Sequence, residues 1–179
     1  MAVPLCRRHL ERELRSDHAG ETGAVWIYKG ISAVAKWRGD SELLSFAMAH
    51  GVTERQHLDA VEAWLPVAQR SLLLGPWRLA GWMTGALPSL FGRHAVYATI
   101  AAVETFVDSH YQQQIDYLVA TDDCPEDLLS LLMKCQADEQ HHRDESAALA
   151  GDVSYVFLRF WCWTVGVGSS MAVALARRF

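Results

Sequence analysis

The stretch Ala137-Asp138-Glu139-Gln140-His141-His142-Arg143-Asp144 contains a Glu-x-x-His pair, Glu139 and His142, within a segment patterned as a long amphipathic helix. On an α-helix, residues three apart lie about 60° around the axis and roughly 4.5 Å along it, so both side-chain heads reach one point. A carboxylate and an imidazole converging there suit a first-row transition metal better than a proton relay. The same pair recurs at Glu54 and His57. Ten glutamates and eight histidines in 179 residues would give about 0.4 such pairs by chance, so the remaining glutamates must carry the argument.

Those glutamates fall in register. Four-helix carboxylate proteins that hold two irons or two manganese ions take one Glu from each of two helices and a Glu-x-x-His from each of the other two. Here Glu21 precedes the first pair and Glu104 precedes the second, each at an interval that fits a helix, a short turn and half of the next helix. Tyr28 and Tyr111 each stand two helical turns after a lone glutamate, on the same face. The chain thus reads as two similar helical hairpins, each bearing a Glu, a Tyr and a Glu-x-x-His.

The elements that must position these residues are visible in the punctuation. A first helix is expected from about Arg8 to Trp37, stopped by Gly39, and a second from a cap at Asp40 or Ser41 to about Leu65, closed by Pro66. Gly20 and Gly23 flank Glu21 inside the first helix, where each costs roughly 1 kcal/mol relative to alanine. Close helix packing would offset this, and so would a need for room beside Glu21. His50 lies one turn before Glu54 and is expected to be a structural or surface residue instead of a ligand. Asp108 shares a face with Glu104 and is a candidate supporting group, whereas His110 points away from it. Asp123 or Cys124 should cap the fourth helix, with Pro125 in its first position and Gly151 beyond its end.

Two apolar segments exceed what a bundle core needs. The connection over about residues 66–92 is almost wholly apolar. It carries Trp77 and Trp82 with Arg70, Arg78 and Arg93 around them, a pattern of segments that lie at a membrane interface. Pro76, Pro88 and four glycines speak against one straight span, and a buried lid over the bundle end is the alternative. The tail over about residues 153–176 is more apolar still, with 17 uncharged residues from Phe160 to Ala176, the short limit of a membrane span; an interfacial helix or a hairpin partner for the crossover fits it equally.

Composition narrows the remaining classes. A chain of 179 residues with 51% hydrophobic residues and seven tryptophans can bury a good core and suits one domain. A net charge of −5 with no long basic run makes nucleic acid an unsuitable partner. Cys6, Cys124, Cys135 and Cys162 are scattered, as reduced packing cysteines are. The charged N-terminal stretch has no secretory h-region.

Taken together, these residues resemble the demethoxyubiquinone hydroxylases, the di-iron monooxygenases of ubiquinone biosynthesis. The resemblance is carried by Asp17-His18-Ala19-Gly20-Glu21, Ile27-Tyr28-Lys29-Gly30, Glu54-Arg55-Gln56-His57-Leu58, Ala102-Val103-Glu104, His110-Tyr111 with Gln114-Ile115, and Asp138-Glu139 through His142-Arg143-Asp144. It spans roughly Leu14 to Leu149. Thr22, Trp26, Thr105 and Ile31-Ser32 depart from the family pattern without replacing a ligand.

The resemblance implies an all-α, ferritin-like four-helix bundle over about residues 8–151, with the long apolar crossover and an additional C-terminal apolar helix. It implies two irons held by Glu21, Glu54, His57, Glu104, Glu139 and His142, with Tyr28 and Tyr111 beside the site. It further implies O2 as co-substrate, a membrane-borne quinone precursor as substrate, and peripheral attachment on the cytoplasmic or mitochondrial matrix side of a membrane. A lipid-binding ubiquinone-biosynthesis partner or a second copy of the chain would be the expected protein partners. No Gly-x-Gly-x-x-Gly nucleotide fingerprint is present, so reduction must come from a partner or from NADH through the bound quinone. A ferritin-like quinol oxidase, an iron-storage protein and a quinone-binding scaffold are the competing expectations.

Overall fold

A computed structural model describes residues 5–121 and 125–179. Among the described residues there are six α-helices and no strand. They run α1 (Leu5–Arg38), α2 (Ser41–Trp64), α3 (Leu74–Ser89), α4 (Arg93–Val119), α5 (Glu126–Ala150) and α6 (Val156–Ala176), with a single 3₁₀ turn at Val67–Gln69. The fold is therefore all-α. Its order of two helix pairs separated by an apolar connection, then an apolar terminal helix, is the ferritin-like order. The chain forms two compact units. One runs to Leu90 and takes in Ser169–Phe179, and the other comprises Phe91–Gly168.

In the first unit α1 and α2 pack as a hairpin whose turn is dictated by Gly39 and Asp40. Gly39 adopts φ 68°, a left-handed conformation that ends α1, and the Asp40 amide returns to the Ala35 carbonyl at 2.9 Å. The Asp40 side chain then accepts from the Leu43 amide at 3.0 Å and caps α2. Apolar residues at helical spacing meet inside: Ile27, Ile31 and Ala35 of α1 and Leu43, Ala47, Leu58 and Val61 of α2 are all buried.

Helix α3 is continuous despite its prolines. Pro76 sits in the first turn, where its missing N–H costs no helical bond, and Pro88 falls in the last turn. At 16 residues the helix is about 24 Å long, short of a hydrocarbon core of roughly 30 Å. Its glycines let it lie on the backbone of α1. A Cβ on Gly81 would overlap the Gly23 carbonyl, one on Gly85 the Ile27 carbonyl, and one on Gly30 the Trp82 carbonyl. A Cβ on Gly20 or on Gly23 itself would meet no heavy atom within 4 Å. Close packing thus accounts for Gly81 and Gly85 of α3 and Gly30 of α1, while space beside Gly20 and Gly23 stays open.

The second unit repeats the hairpin with α4 and α5. Its core holds Val96, Ile100, Val103, Ile115 and Leu118 from α4 and Leu128, Leu132 and Cys135 from α5. Gly92 at φ 103° opens the way into α4, and Gly151 at φ 59° ends α5 as expected. Pro125 is the residue before α5 rather than its first helical position, and no side chain caps that end. The expected caps Asp123 and Cys124 lie outside the described residues, as does the Cys6 side chain. Cys135 and Cys162 carry reduced thiols.

Helix α6 has the length and composition of a membrane-crossing helix, and only 11% of its most apolar window is buried. Its first half is held to α4 by the Trp161 indole, which donates to Thr99 Oγ1 at 2.9 Å. Beyond its far end Arg177 donates through Nε and Nη2 to Glu13 Oε2 at 3.1 and 2.7 Å, and the Phe179 carbonyl accepts from the Leu72 amide at 2.7 Å.

The α1–α3 crossing generates a paired expectation. Gly85→Ala places a methyl against backbone and should lower stability by about 1–3 kcal/mol. Gly20→Ala fills open space in a helix interior and should raise it by up to about 1 kcal/mol. Urea unfolding of the two variants reads the difference, and equal effects would contradict the described packing.

Candidate metal centre

Helices α1 and α2 bring together Glu21, Glu54 and His57. The i, i+3 relation on α2 points Glu54 and His57 the same way, and the α1–α2 hairpin presents Glu21 to them. His57 Nδ1 lies 3.8 Å from Glu21 Oε2 and 4.0 Å from Glu54 Oε2. One ligand atom from each of the three falls within 4.8 Å of the others. All three residues are buried.

The second unit builds the same set from α4 and α5. His142 Nδ1 is 3.6 Å from Glu139 Oε2, and the ligand atoms of Glu104, Glu139 and His142 likewise lie within 4.8 Å of one another. These three are also buried. Each unit therefore holds two carboxylates and one imidazole at metal-ligand spacing, away from water. Two carboxylates so close repel unless a proton or a cation intervenes. Carboxylate oxygens and imidazole nitrogens without a thiolate are the donors that iron(II) and manganese(II) accept, so the residues fit the group expected for them.

Tyr28 and Tyr111 are both fully buried, at 2% and 1% exposure. Tyr28 stacks on His50 with centroids 5.7 Å apart, and Phe46 packs on the other contact of His50 at 4.2 Å. His50 is thus a core aromatic partner, as its sequence position implied. Tyr111 packs beside His110 at 6.3 Å. His110 is buried rather than exposed, hydrogen-bonds to Gln114 at 3.1 Å and stacks on Phe106. It takes no part in the acidic set. His141 is exposed, and only its neighbour His142 joins Glu139.

Two polar arrangements lie around these sets: one escapes sequence reasoning, and of the other the sequence indicates only Asp108. In the first unit His18, one turn before Glu21, sits with Nε2 3.2 Å from Glu62 Oε1, and Arg70 Nη1 pairs with the same oxygen at 3.0 Å. The partners are 44 and 52 positions away from His18, beyond the reach of any local spacing rule. In the second unit Asp108 gathers Gln136, Gln140 and Arg143. The signal available there was the buried polar Gln136, one turn before Glu139 on α5.

Comparison with known proteins bears on the same residues. A family described as "Ubiquinone biosynthesis protein COQ7" matches residues 8–176. The chain is 29% identical over 174 residues to a protein of Caenorhabditis elegans named "NADPH-dependent 3-demethoxyubiquinone 3-hydroxylase, mitochondrial", covering 94% of this chain and 90% of that one. It is 30% identical over 178 residues to the mouse protein of the same name, covering 97% of this chain and 79% of that one. Against the "3-demethoxyubiquinol 3-hydroxylase" of Rhodospirillum rubrum the identity is 36% over 138 residues, 75% of this chain and 62% of the bacterial one.

His18 gives the site a measurable pH signature. Burial pushes its imidazole below the ordinary value of 6.5; the hydrogen bond to Glu62 opposes this, and the Arg70 charge adds to the lowering. Below about pH 6.5 the unfolded chain takes up a proton that the folded chain resists, so stability falls as pH drops from there through the lowered folded-state value. His18→Gln should flatten the dependence of the urea midpoint as pH falls below about 6.5. An unchanged slope in the variant would assign the acid sensitivity elsewhere.

Proposed function

The chain belongs to the COQ7 family of ubiquinone biosynthesis proteins, and from that membership we propose that it is a di-iron monooxygenase that hydroxylates the ring of a demethoxyubiquinone-type precursor. The observation that carries the reading is the repeated donor set, Glu21 with Glu54 and His57, and Glu104 with Glu139 and His142, each buried at ligand spacing. Six such residues are the complement that two irons take in this class of bundle. When bound, the irons supply the electrons that activate O2.

The residues of the chain have definable tasks in that reaction. Four carboxylates offset the four positive charges of two ferrous ions while both histidines stay neutral. Burial of the six side chains keeps water from the reacting oxygen. Overall, one ring C–H becomes C–OH, one oxygen atom leaves as water, and a nicotinamide cofactor gives up a hydride. The names of the relatives point to NADPH as that donor. Tyr28 and Tyr111 supply rigid walls close to the ligand-bearing turns.

The apolar surfaces support a membrane-borne substrate. Leu79 and Met83 on α3 are exposed, as are Trp163, Met171 and Leu175 on α6. A polyprenyl tail gains roughly 0.8 kcal/mol per buried CH2 and stays in lipid, so the protein must come to it. The reading is of peripheral attachment, with α3 too short to cross and α6 tied at its end by the Arg177–Glu13 pair.

Two experiments test these statements. With iron restored, 18O2 should place label in the ring of the quinone product, and Glu139→Ala should lose bound iron and turnover together, each by more than about tenfold. Label found only in water would favour the quinol-oxidase alternative, and full iron content in Glu139→Ala would remove that residue from the ligand set. Separately, Leu79→Glu combined with Met83→Glu should release the protein from vesicles in flotation while leaving its iron content unchanged. Continued flotation of the double variant would transfer the attachment to α6.

A further inference from the structure

The hub at Asp108 sits one turn beyond Glu104 on α4, and every side chain it holds comes from the turns of α5 that bear Glu139 and His142. Asp108 Oδ1 accepts from Gln136 Nε2 and from Gln140 Nε2, both at 2.9 Å, and Oδ2 pairs with the Arg143 guanidinium. Gln136 Nε2 reaches Gln112 Oε1 as well, at 2.9 Å, and Arg143 Nε donates to Asp144 at 2.8 Å. Gln136, Gln140 and Arg143 stand three before, one after and four after Glu139. They bracket the ligand-bearing turn from both ends.

Among the described residues of the first unit, the charged pair beside the Glu-x-x-His is of another kind. There Arg55 pairs with Asp59 at 3.1 Å along a single helix, with side chains 56% and 59% exposed, an arrangement that constrains little. The Asp108 and Arg143 side chains are only 18% and 29% exposed and join two helices. A carboxylate that takes two amide donors and a guanidinium at once fixes both the rotation and the axial register of α5 against α4.

We propose that Asp108 is a positioning residue for the second donor set, holding Glu139 and His142 in the register at which they share a metal with Glu104. The proposal rests on the reading that this set binds metal. Without the hub, α5 keeps its helix and its apolar contacts through Leu128, Leu132 and Cys135, but the ligand heads lose the fixed offset that a metal requires. The effect belongs to metal affinity and not to folding.

The test uses the full chain after chelation, titrated with Co(II), with thermal melting followed by circular dichroism in the absence and presence of the metal. Asp108→Ala should weaken Co(II) binding by about tenfold to a hundredfold and shrink the rise in Tm that the metal gives, with helicity unchanged. Asp108→Asn retains the shape and one acceptor oxygen and should fall between wild type and Asp108→Ala; it also serves as the readable variant if the alanine form fails to fold. A drop in Tm that is the same with and without Co(II), at unchanged affinity, means a purely structural brace and overturns the proposal. If the wild-type chain itself binds no Co(II), the metal reading fails and the positioning proposal goes with it. Wild-type binding that is matched by both variants refutes the positioning role alone.

Discussion

Everything in this molecule answers to an electrostatic constraint, the burial of paired carboxylates. In each unit two glutamates and a histidine lie with ligand atoms within 4.8 Å of one another, away from solvent. Like charges at such a distance in a low-dielectric interior are strongly unfavourable, and no hydrophobic gain from the glutamate stems offsets that. A divalent cation would relieve that repulsion, and the donor atoms suit one. The rest of the fold is then a means of holding acidic residues where they would otherwise spread apart.

Holding them takes different forms in the two units, although the donor sets are alike. The first unit relies on close helix contact and an ion pair. α3 lies directly on the α1 backbone through Gly81 and Gly85, and His18 meets Glu62 and Arg70 one turn from Glu21. The second unit relies on side-chain hydrogen bonds across α4 and α5, centred on Asp108. A repeated ligand pattern on a repeated hairpin therefore does not imply repeated support. The donor sets share one spacing of carboxylates and imidazole, whereas their supports share only the linking of neighbouring helices.

This difference explains what could be seen in the sequence. The donor residues were legible because metal ligation imposes a short, periodic spacing on one helix face, as in Glu54–His57 and Glu139–His142. The helix ends were legible where backbone chemistry forced them, at Gly39, Asp40 and Gly151. The partnership of His18 with Glu62 and Arg70 was not, since it depends on where α2 and the following turn pass α1, which no local pattern encodes. Gly23 illustrates a mixed case: its presence was conspicuous, but only the approach of Gly81 shows that its backbone is a packing surface. His110 reads as a residue turned away from Glu104, and that holds, yet its burial against Phe106 and Gln114 required the tertiary structure.

The apolar helices follow from the same division between what a helix is made of and what it is tied to. By length and composition α6 suits a bilayer span. Its C-terminal end, however, is fixed by a charge-assisted pair: Arg177 forks onto a Glu13 carboxylate that is itself only 7% exposed. Moving this end away from α1 would take the guanidinium from Glu13 and leave only the His9 imidazole, 3.9 Å away. The penalty for stripping a partner from a buried carboxylate exceeds that of ordinary surface pairs, for which Coulomb attraction and solvation nearly cancel. Length and hydropathy qualify α6 as a span, while the Arg177–Glu13 pair and the Leu72–Phe179 backbone bond tie its C-terminal end to α1 and to the connection before α3.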